Sequence, residues 1–459
     1  MDHFDHIVVG TGQATGTLLS GISRNESVAV LEGAEVGGTC VNVGCTPTKT
    51  LVASAKAAFA ARRAAEYGVM TGGVSVDFPK VMARMNALRR SNRDGLAHYV
   101  ESLENVTLIR DWATFTGPKT LRAGDKALSG EHVHINVGGR ARVPDISGVN
   151  EVPWLDNRRI LDLSELPGHL LIVGASYIGL EFAQIFRRLG SDVTVLGHGP
   201  RIMTREDEDV SLAAQRILEA EAISFILNAD VKRLSRADAG VTLTYTADGQ
   251  EQTLKGSHVL LATGRVPNTE NLGLEAAGIE TDRRGFINVD DQCRTNVPGV
   301  YALGDVNGRG AFTHTSVNDA EIVLDALYGG RHGSPRRLSE RTTVYAMFID
   351  PPLGRVGLTE QQALAQGYKL LKATREMKHI SRAKEMGETQ GFVKLLVNAE
   401  DDQILGASIL GVNGDEIINM FAALMTSGLP CLTYRKTVLV HPTVGELMPW
   451  ILDNLQPVN

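Results

Sequence analysis

The chain has little cysteine and little aromatic content. Of 459 residues, 4 are Cys, and Phe, Trp and Tyr together make up 5%. Four cysteines are too few for a disulfide framework in a chain of this length. No apolar run approaches the ~20 residues that span a bilayer, so no membrane partner is expected. Positive charge is not in excess: the net charge is -7. That excludes a general nucleic-acid surface. The start, Met1-Asp2-His3-Phe4-Asp5-His6, lacks the basic region and apolar core of a signal peptide. The expected location is the cytoplasm, where a stable structural disulfide is not expected.

Glycine is abundant, with 48 residues, which points to tight turns and backbone-lined ligand sites. The length suggests two to four domains. Two segments look alike: "HIVVGTGQATGTLLSGI" from His6 and "LLIVGASYIGLEFAQIF" from Leu170. Each reads as an apolar strand, a glycine turn and an amphipathic helix. Each is followed by a second β-branched strand, "SVAVLEG" or "DVTVLGHG". This is the βαβ unit of a dinucleotide site, present twice. An alanine-rich helix is expected from Pro47 to about Ala65, and an arginine-rich one after Pro79 (Arg84, Arg89, Arg90, Arg93). From about Arg341 the pattern becomes that of an α+β domain without a glycine turn.

In the first turn, Gly10 and Gly12 permit a pyrophosphate to approach the helix N-terminus. Thr15 stands where a third glycine is usual, so the helix is expected slightly farther from the strand. Glu32 closes the next strand, where an acid accepts hydrogen bonds from an adenosine ribose. Asp305, in "GD" at another strand end, offers a second hydroxyl contact. In the second turn, Gly174-Ala175-Ser176-Tyr177-Ile178-Gly179 carries Ser176 at the middle position. The acid that selects NAD is missing, because the strand ends in Gly197. His198 and Arg201 are placed to attract a 2′-phosphate, with Arg205 a weaker candidate. NADPH is therefore expected, with NADH the alternative.

"GGTCVNVGCTPTKT" (Gly37 to Thr50) holds Cys40 and Cys45. The pair by itself leaves open a metal clip, a structural bridge, a redox couple or two inert thiols. Zinc needs two further ligands, and Cys293 and Cys431 are isolated. The stretch resembles the active-site motif of the FAD-dependent pyridine nucleotide-disulfide oxidoreductases, a family that includes glutathione reductase, dihydrolipoamide dehydrogenase and mercuric reductase. The resemblance extends over both glycine turns, "ATGRVPN", the "GD" segment and a C-terminal "HPTVGE". "CVNVGCTPTKTLV", "REDEDV", "PPLGRVGLTE" and "GASILGV" bring it nearest to the mercuric-reductase-like branch and the bacterial reactive-chlorine-resistance flavoproteins.

The resemblance implies an α/β fold of two Rossmann-like units and a C-terminal α+β dimerisation domain. The expected layout is FAD-binding over 1–149 and again over 269–336, NAD(P)H-binding over 150–268, and an interface domain over 337–459. Cys45 is then the thiol facing the flavin, and Cys40 the outer thiol that attacks the acceptor. Thr46 and Pro47 read as N-cap and first helical residue, which puts both sulfurs near a helix N-terminus and favours thiolate. Lys49 and Glu181 match the family's pair beside the flavin, and Tyr177 the tyrosine that covers it. His441 and Glu446 match the acid–base pair that comes from the other subunit, with Gly445 where the family has serine. FAD contacts are implied for Gly10, Gly12, Gln13, Ala14, Glu32, Gly38, Thr39, Lys49, Gly139, Asp305, Thr313 and His314. NADPH contacts are implied for Gly174, Ser176, Tyr177, Ile178, Gly179, His198, Arg201 and Gly264. No resident metal is implied. A homodimer is implied, with interface helices near 414–428 and 443–455.

The expected cycle passes hydride from NADPH through FAD to a Cys40–Cys45 disulfide, and then to an acceptor. Three acceptors compete: a small disulfide, favoured by His441 and Glu446; Hg(II) or Cu(II), favoured by the nearer resemblance; and lipoamide, disfavoured by Gly197. The tail lacks the vicinal cysteines with which mercuric reductase delivers metal. A flavin-binding module without catalysis would not need Cys40, Cys45, Lys49 and Glu181 together.

Overall fold

A computed structural model describes residues 1–330, 333 and 335–458. Strand β1 (Asp2–Val9), helix α1 (Gln13–Gly21) and strand β2 (Val28–Leu31) open the chain. β2 is buried along its whole length, as a parallel strand between helices requires. β1 and β2 pair in parallel, His6 opposite Val28 and Val9 opposite Leu31. Helices α2 (Gly38–Val43), α3 (Cys45–Arg62) and α4 (Phe78–Glu101) follow. Strand β3 (Val106–Ile109) extends the sheet beyond β2. The long strand β4 (Lys126–Ile135) flanks β1 on the other side.

The second unit repeats the pattern with β5 (His169–Val173), α5 (Tyr177–Leu189), β6 (Asp192–Leu196), α6 (Glu208–Ala220) and β7 (His258–Leu261). Its parallel sheet runs in the order Ser224–Ile226, β6, β5, β7, Trp154–Leu155. The chain then returns to the first sheet, where β8 (Val300–Ala302) pairs in parallel with β4. Helix α7 (Thr313–Tyr328) packs on α1.

The last part is an antiparallel sheet. It contains β9 (Val344–Met347), β10 (Leu353–Gly357), β11 (Leu370–Glu376), β12 (Phe392–Asn398) and β13 (Ile404–Leu410), in the order β9-β10-β13-β12-β11 with Gln456–Pro457 at the edge. Helix α8 (Gly414–Thr426) lies on β10 and β13. The fold is thus the expected α/β architecture, two parallel-sheet units and an α+β third part. No helix among the described residues is long and apolar enough to cross a membrane.

One apolar cluster ties the three parts together. Leu51 of α3 and Met82 and Met85 of α4 pack with Phe182 and Phe186 of α5 and with Met347 and Leu353. Each such fully buried side chain contributes roughly 1.5–3 kcal/mol, so the elements that carry the thiols and the second glycine turn are held as a unit.

Two local expectations are corrected. The helix does not begin at Pro47 with Thr46 as cap. It begins at Cys45, with Gly44 as the capping residue, and Cys40 lies on the separate helix α2. The cause is close packing: a Cβ on Gly44 would stand 2.8 Å from the Thr39 carbonyl oxygen and 3.2 Å from Cys40 Cα. Only glycine lets α2 turn this sharply into α3. The segment 443–455 is not one helix. It breaks into Gly445–Leu447, Met448–Ile451 and Leu452–Asn454 turns, with Pro449 opening the middle one, where a missing N–H costs nothing.

Candidate active site

The first turn is a backbone cradle. Gly10 has φ +96, and a Cβ there would lie 2.5 Å from the Asn136 carbonyl oxygen. Gly12 faces the Asn136 amide, and Gly38 lies against Gly12. α1 starts at Gln13 without a side-chain cap, so the first N–H groups, of Gln13 and Ala14, stay available to an anion. Glu32 leaves β2 and accepts from the Thr11 N–H at 2.9 Å and its hydroxyl at 2.5 Å. Thr15, at the position of the usual third glycine, bonds back to the turn. Its hydroxyl donates to the Gly10 carbonyl at 2.9 Å and accepts from Asn136 at 3.0 Å.

Asp305 stands at the open end of the cradle, 3.1 Å from the Arg265 guanidinium, and Gly139 approaches it. Thr39 follows Gly38 on α2. Glycines that bring the backbone close, an uncapped helix and an acid at the end of β2 fit the diphosphate and ribose of a flavin dinucleotide. Asn136 and Arg265 were not singled out from the sequence. The carboxyl-terminal position of Asn136, next after β4, was the available signal.

The thiols meet beside this cradle. Cys45 is exposed and Cys40 half-buried, both free. Cys45 Sγ lies 3.4 Å from the hydroxyl of Thr313, the first residue of α7. The hydrogen bond from Cys40, then the Thr313 hydroxyl and the Lys49 ammonium, bring the Cys45 thiol down to about 6. The same bond, burial and the Cys45 charge push Cys40 up. These opposite shifts favour the negative charge of the reduced pair on Cys45 over Cys40. Cys293 and Cys431 are buried, and burial raises both.

One turn along α3, Lys49 Nζ lies 2.8 Å from Glu181 Oε2 on α5. Glu181 also accepts the Phe348 N–H at 2.9 Å, and the ammonium sits 4.6 Å from the centre of the Phe348 ring. Phe348, from the third part of the chain, escaped the sequence reading because nothing local marks it. His314 bonds the Val344 carbonyl at 2.6 Å and stacks on Phe312.

The second turn holds Gly174, Ser176 and Gly179 at the start of α5, with Ile178 exposed and Gly264 at the end of the neighbouring strand's loop. A Cβ on Gly197 would stand 3.0 Å from both Ala175 Cβ and Leu227 Cδ2. An acid there would have to push these neighbours back by a few tenths of an ångström. His198 is exposed, within electrostatic reach of Asp230. Arg201 is half-buried and donates to the Glu206 carbonyl at 3.4 Å. Arg205 is exposed.

In the C-terminal region His441 Nδ1 lies 2.9 Å from Glu446. The ring is exposed, and among the described residues it hydrogen-bonds only Glu446. Val438, Val440, Leu432 and Trp450 are exposed on the same segment, an apolar setting of the kind that marks an interface. Three of the four arginines of α4 are used in tethering: Arg84 to the Thr50 carbonyl, Arg89 to Asp162 and Arg93 to Glu35, while Arg90 is exposed.

Residues 4–320 match the family described as pyridine nucleotide-disulphide oxidoreductase, and residues 343–452 match its dimerisation domain. The chain belongs to the pyridine nucleotide-disulphide oxidoreductases. It is 34% identical over 455 residues to the probable pyridine nucleotide-disulfide oxidoreductase RclA of Escherichia coli, covering 97% of this chain and 98% of that protein. It is 32% identical to a dihydrolipoyl dehydrogenase of Cupriavidus necator (97% and 96% covered). It is 30% identical to a mercuric reductase of Staphylococcus aureus (96% and 81% covered). The solved structure of the HOCl-induced flavoprotein disulfide reductase RclA from Escherichia coli superposes with a TM-score of 0.88 at 33% identity, covering 98% and 99% of the two chains. Like other pyridine nucleotide-disulphide oxidoreductases, the chain is an oxidoreductase that works with a flavin and a pyridine nucleotide.

Proposed function

We propose that this protein uses NADPH and FAD to reduce a Cys40–Cys45 disulfide, and that Cys40 passes the electrons to a small disulfide. The cradle of Gly10, Gly12, Gly38 and Asp305 would hold FAD, with Glu32 placed for its adenosine ribose, and when bound the flavin would supply the two-electron relay between nicotinamide and disulfide. Lys49, oriented by Glu181, supplies fixed positive charge beside that relay. NADPH is favoured because Gly197 leaves no carboxylate to repel a 2′-phosphate, while His198 stands exposed beside it.

The observation that carries the reading is the asymmetry of the thiols. Cys45 is held as thiolate on the Lys49 side, so the inner sulfur is the electron entry point. Cys40 is held as thiol and needs a base to become a nucleophile. His441, oriented by Glu446, is that base and returns the proton to the leaving thiol. It acts from the partner subunit of a homodimer, which accounts for its exposure and for the apolar residues around it. The buried, unpaired Cys293 and Cys431 suit a reducing cytoplasm.

A second reading has its own support. A solved relative is a Cu(II) complex of RclA from Escherichia coli, similar to this chain at a TM-score of 0.87. Among the described residues no group of three or more His, Cys, Asp or Glu could hold a metal ion, so Cu(II) or Hg(II) would meet the thiol pair itself as substrate. Lipoamide is the weakest acceptor, because Gly197 argues against NAD. The deciding experiment is NADPH oxidation by the FAD-loaded protein with disulfides, quinones, Hg(II), Cu(II) and lipoamide in turn, with Cys40→Ser as control. Turnover with a small disulfide that vanishes in Cys40→Ser supports the first reading. No turnover with any disulfide, beside turnover with a metal ion, replaces it by the second.

A further inference from the structure

Helix α5 opens with Tyr177, whose hydroxyl donates to Glu206 at 2.5 Å. Farther along the helix, Glu181, Gln184 and Arg188 follow one another at spacings of three and four, so their side chains share one face. That face is buried: the three residues are 6%, 4% and 4% exposed. Polar side chains so buried need partners. All three find them on one short segment, Phe348-Ile349-Asp350, directly after β9.

Glu181 Oε1 accepts the Phe348 N–H at 2.9 Å. The Gln184 side chain clasps the Asp350 backbone: Oε1 accepts its N–H at 2.7 Å, and Nε2 donates to its carbonyl at 2.8 Å. Arg188 Nη1 lies 2.6 Å from Asp350 Oδ2. Its Nε and Nη2 form a fork on Glu221, just past α6, at 2.7 Å each. Its guanidinium carbon also sits 3.8 Å from the centre of the Phe59 ring of α3. The other Asp350 oxygen takes the Lys56 ammonium of α3 at 2.9 Å. Two cations face two carboxylates, and charge-assisted forks of this kind hold geometry as well as energy. Ile349 anchors the segment between its polar neighbours, 2% exposed in the core that also contains Phe182 and Phe186.

The clasp bears on the thiol side through Phe348. That residue touches both members of the Lys49–Glu181 pair: Glu181 through its N–H, and Lys49 through its ring, 4.6 Å from the ammonium. Its backbone is fixed two residues on, at Asp350. Beyond the Cys40 and Thr313 hydrogen bonds, the Lys49 ammonium lowers the Cys45 thiol and Glu181 opposes it.

We propose that Gln184 and Arg188 are positioning residues for the Lys49–Glu181 pair: by clasping Asp350 they hold Phe348 against both partners and so fix where the ammonium stands relative to Cys45. Both act through Phe348. The inference rests on the role given to Lys49 in the proposed function.

The test uses the FAD-loaded protein and Gln184→Met, which removes the clasp and changes no charge. In a Cys40→Ser background, where the serine hydroxyl can still donate to Cys45, the Cys45 thiolate is titrated by its ultraviolet absorbance. With Phe348 released, Lys49 swings toward solvent, and the midpoint is expected to rise by about half a pH unit. With both cysteines present, the limiting rate of NADPH oxidation is expected to fall about tenfold, while the NADPH concentration for half-saturation stays within about twofold. A purely structural role lowers Tm and moves neither readout. A midpoint or a limiting rate unchanged from the parent therefore overturns the inference. Arg188→Lys keeps the charge, loses the fork, and carries the same test with the same expected shifts if Gln184→Met does not fold. Wild-type protein that does not oxidise NADPH overturns the proposed function, and there the thiol midpoint alone decides the clasp. Wild-type turnover beside unshifted variants overturns the clasp only.

Discussion

Lys49 of α3 and Glu181 of α5 meet at 2.8 Å, joining two units whose sequence positions differ by 132 residues. Glu181 is buried, and its second oxygen is used by the Phe348 N–H. The pair has two separable jobs, charge and support. Lys49→Ala removes the charge and is expected to lower kcat for NADPH oxidation by ~100-fold, the scale of losing one preorganised electrostatic group. Glu181→Ala is expected to lower kcat as well. It also strands a buried N–H at a cost of about 1–3 kcal/mol, so its Tm falls further than that of Lys49→Ala. Steady-state rates and thermal melts of the two variants check this.

The thiol asymmetry gives a pH signature. A free thiol titrates near 8.5; Cys45 is held at about 6. Its thiolate therefore persists from high pH down to about 6 and is lost only below that. In the reduced protein, alkylation by iodoacetamide should rise with a midpoint near pH 6 and map to Cys45. Thr313→Val removes one of the bonds to the thiolate and should move the midpoint upward. A single midpoint near 8.5 would contradict the arrangement.

A second pH effect sits away from the thiols. His6 Nδ1 and His134 Nε2 share a buried hydrogen bond of 3.0 Å, and His132 stacks on His6. Burial lowers all three. The unfolded chain then binds more protons than the fold below the ordinary histidine value near 6.5, and stability falls as pH drops through that range. Tm is expected to decline from pH 6.5 to 5. Replacing both His6 and His134 by Phe should flatten the decline.

Nucleotide choice can be tested at one position. Gly197→Glu restores the acid that selects NAD, against contacts of 3.0 Å on both sides. The KM for NADPH is expected to rise roughly tenfold relative to that for NADH, with a Tm loss from the crowding. His198→Ala should raise the KM for NADPH and leave that for NADH.

The two glycine turns, the strands around them and the thiol motif were legible because each is local: period, turn residue and acid fall within about thirty residues. Glu32 was reached the same way, whereas Lys49, Glu181, His441 and Glu446 came from the resemblance to the family's motifs. What was not legible is where distant segments close on them. Nothing near Phe348 or Asp350 announces that they hold Glu181 and Arg188, at separations of 167 and 162 residues. Nor does the sequence around Pro47 reveal that Gly44 starts the helix early. That follows from how tightly α2 packs on α3, a property of the folded chain.

His441 gives the sharpest test of the assembled enzyme. His441→Ala is expected to slow reduction of a small disulfide by ~100-fold or more, within the range for losing a general acid–base group, while NADPH oxidation by an artificial dye that takes electrons ahead of the thiols stays unchanged. Glu446→Gln, which keeps the hydrogen bond but not the charge, should fall between. Cys40→Ser and His441→Ala homodimers are each inactive toward the disulfide. If the histidine serves the partner's thiol, a mixed dimer of the two contains one intact site, since a twofold interface presents each residue to the other subunit. Random re-association of equal amounts then restores about a quarter of wild-type activity, because half of the dimers are mixed and each holds one of two sites. A histidine serving its own chain restores none.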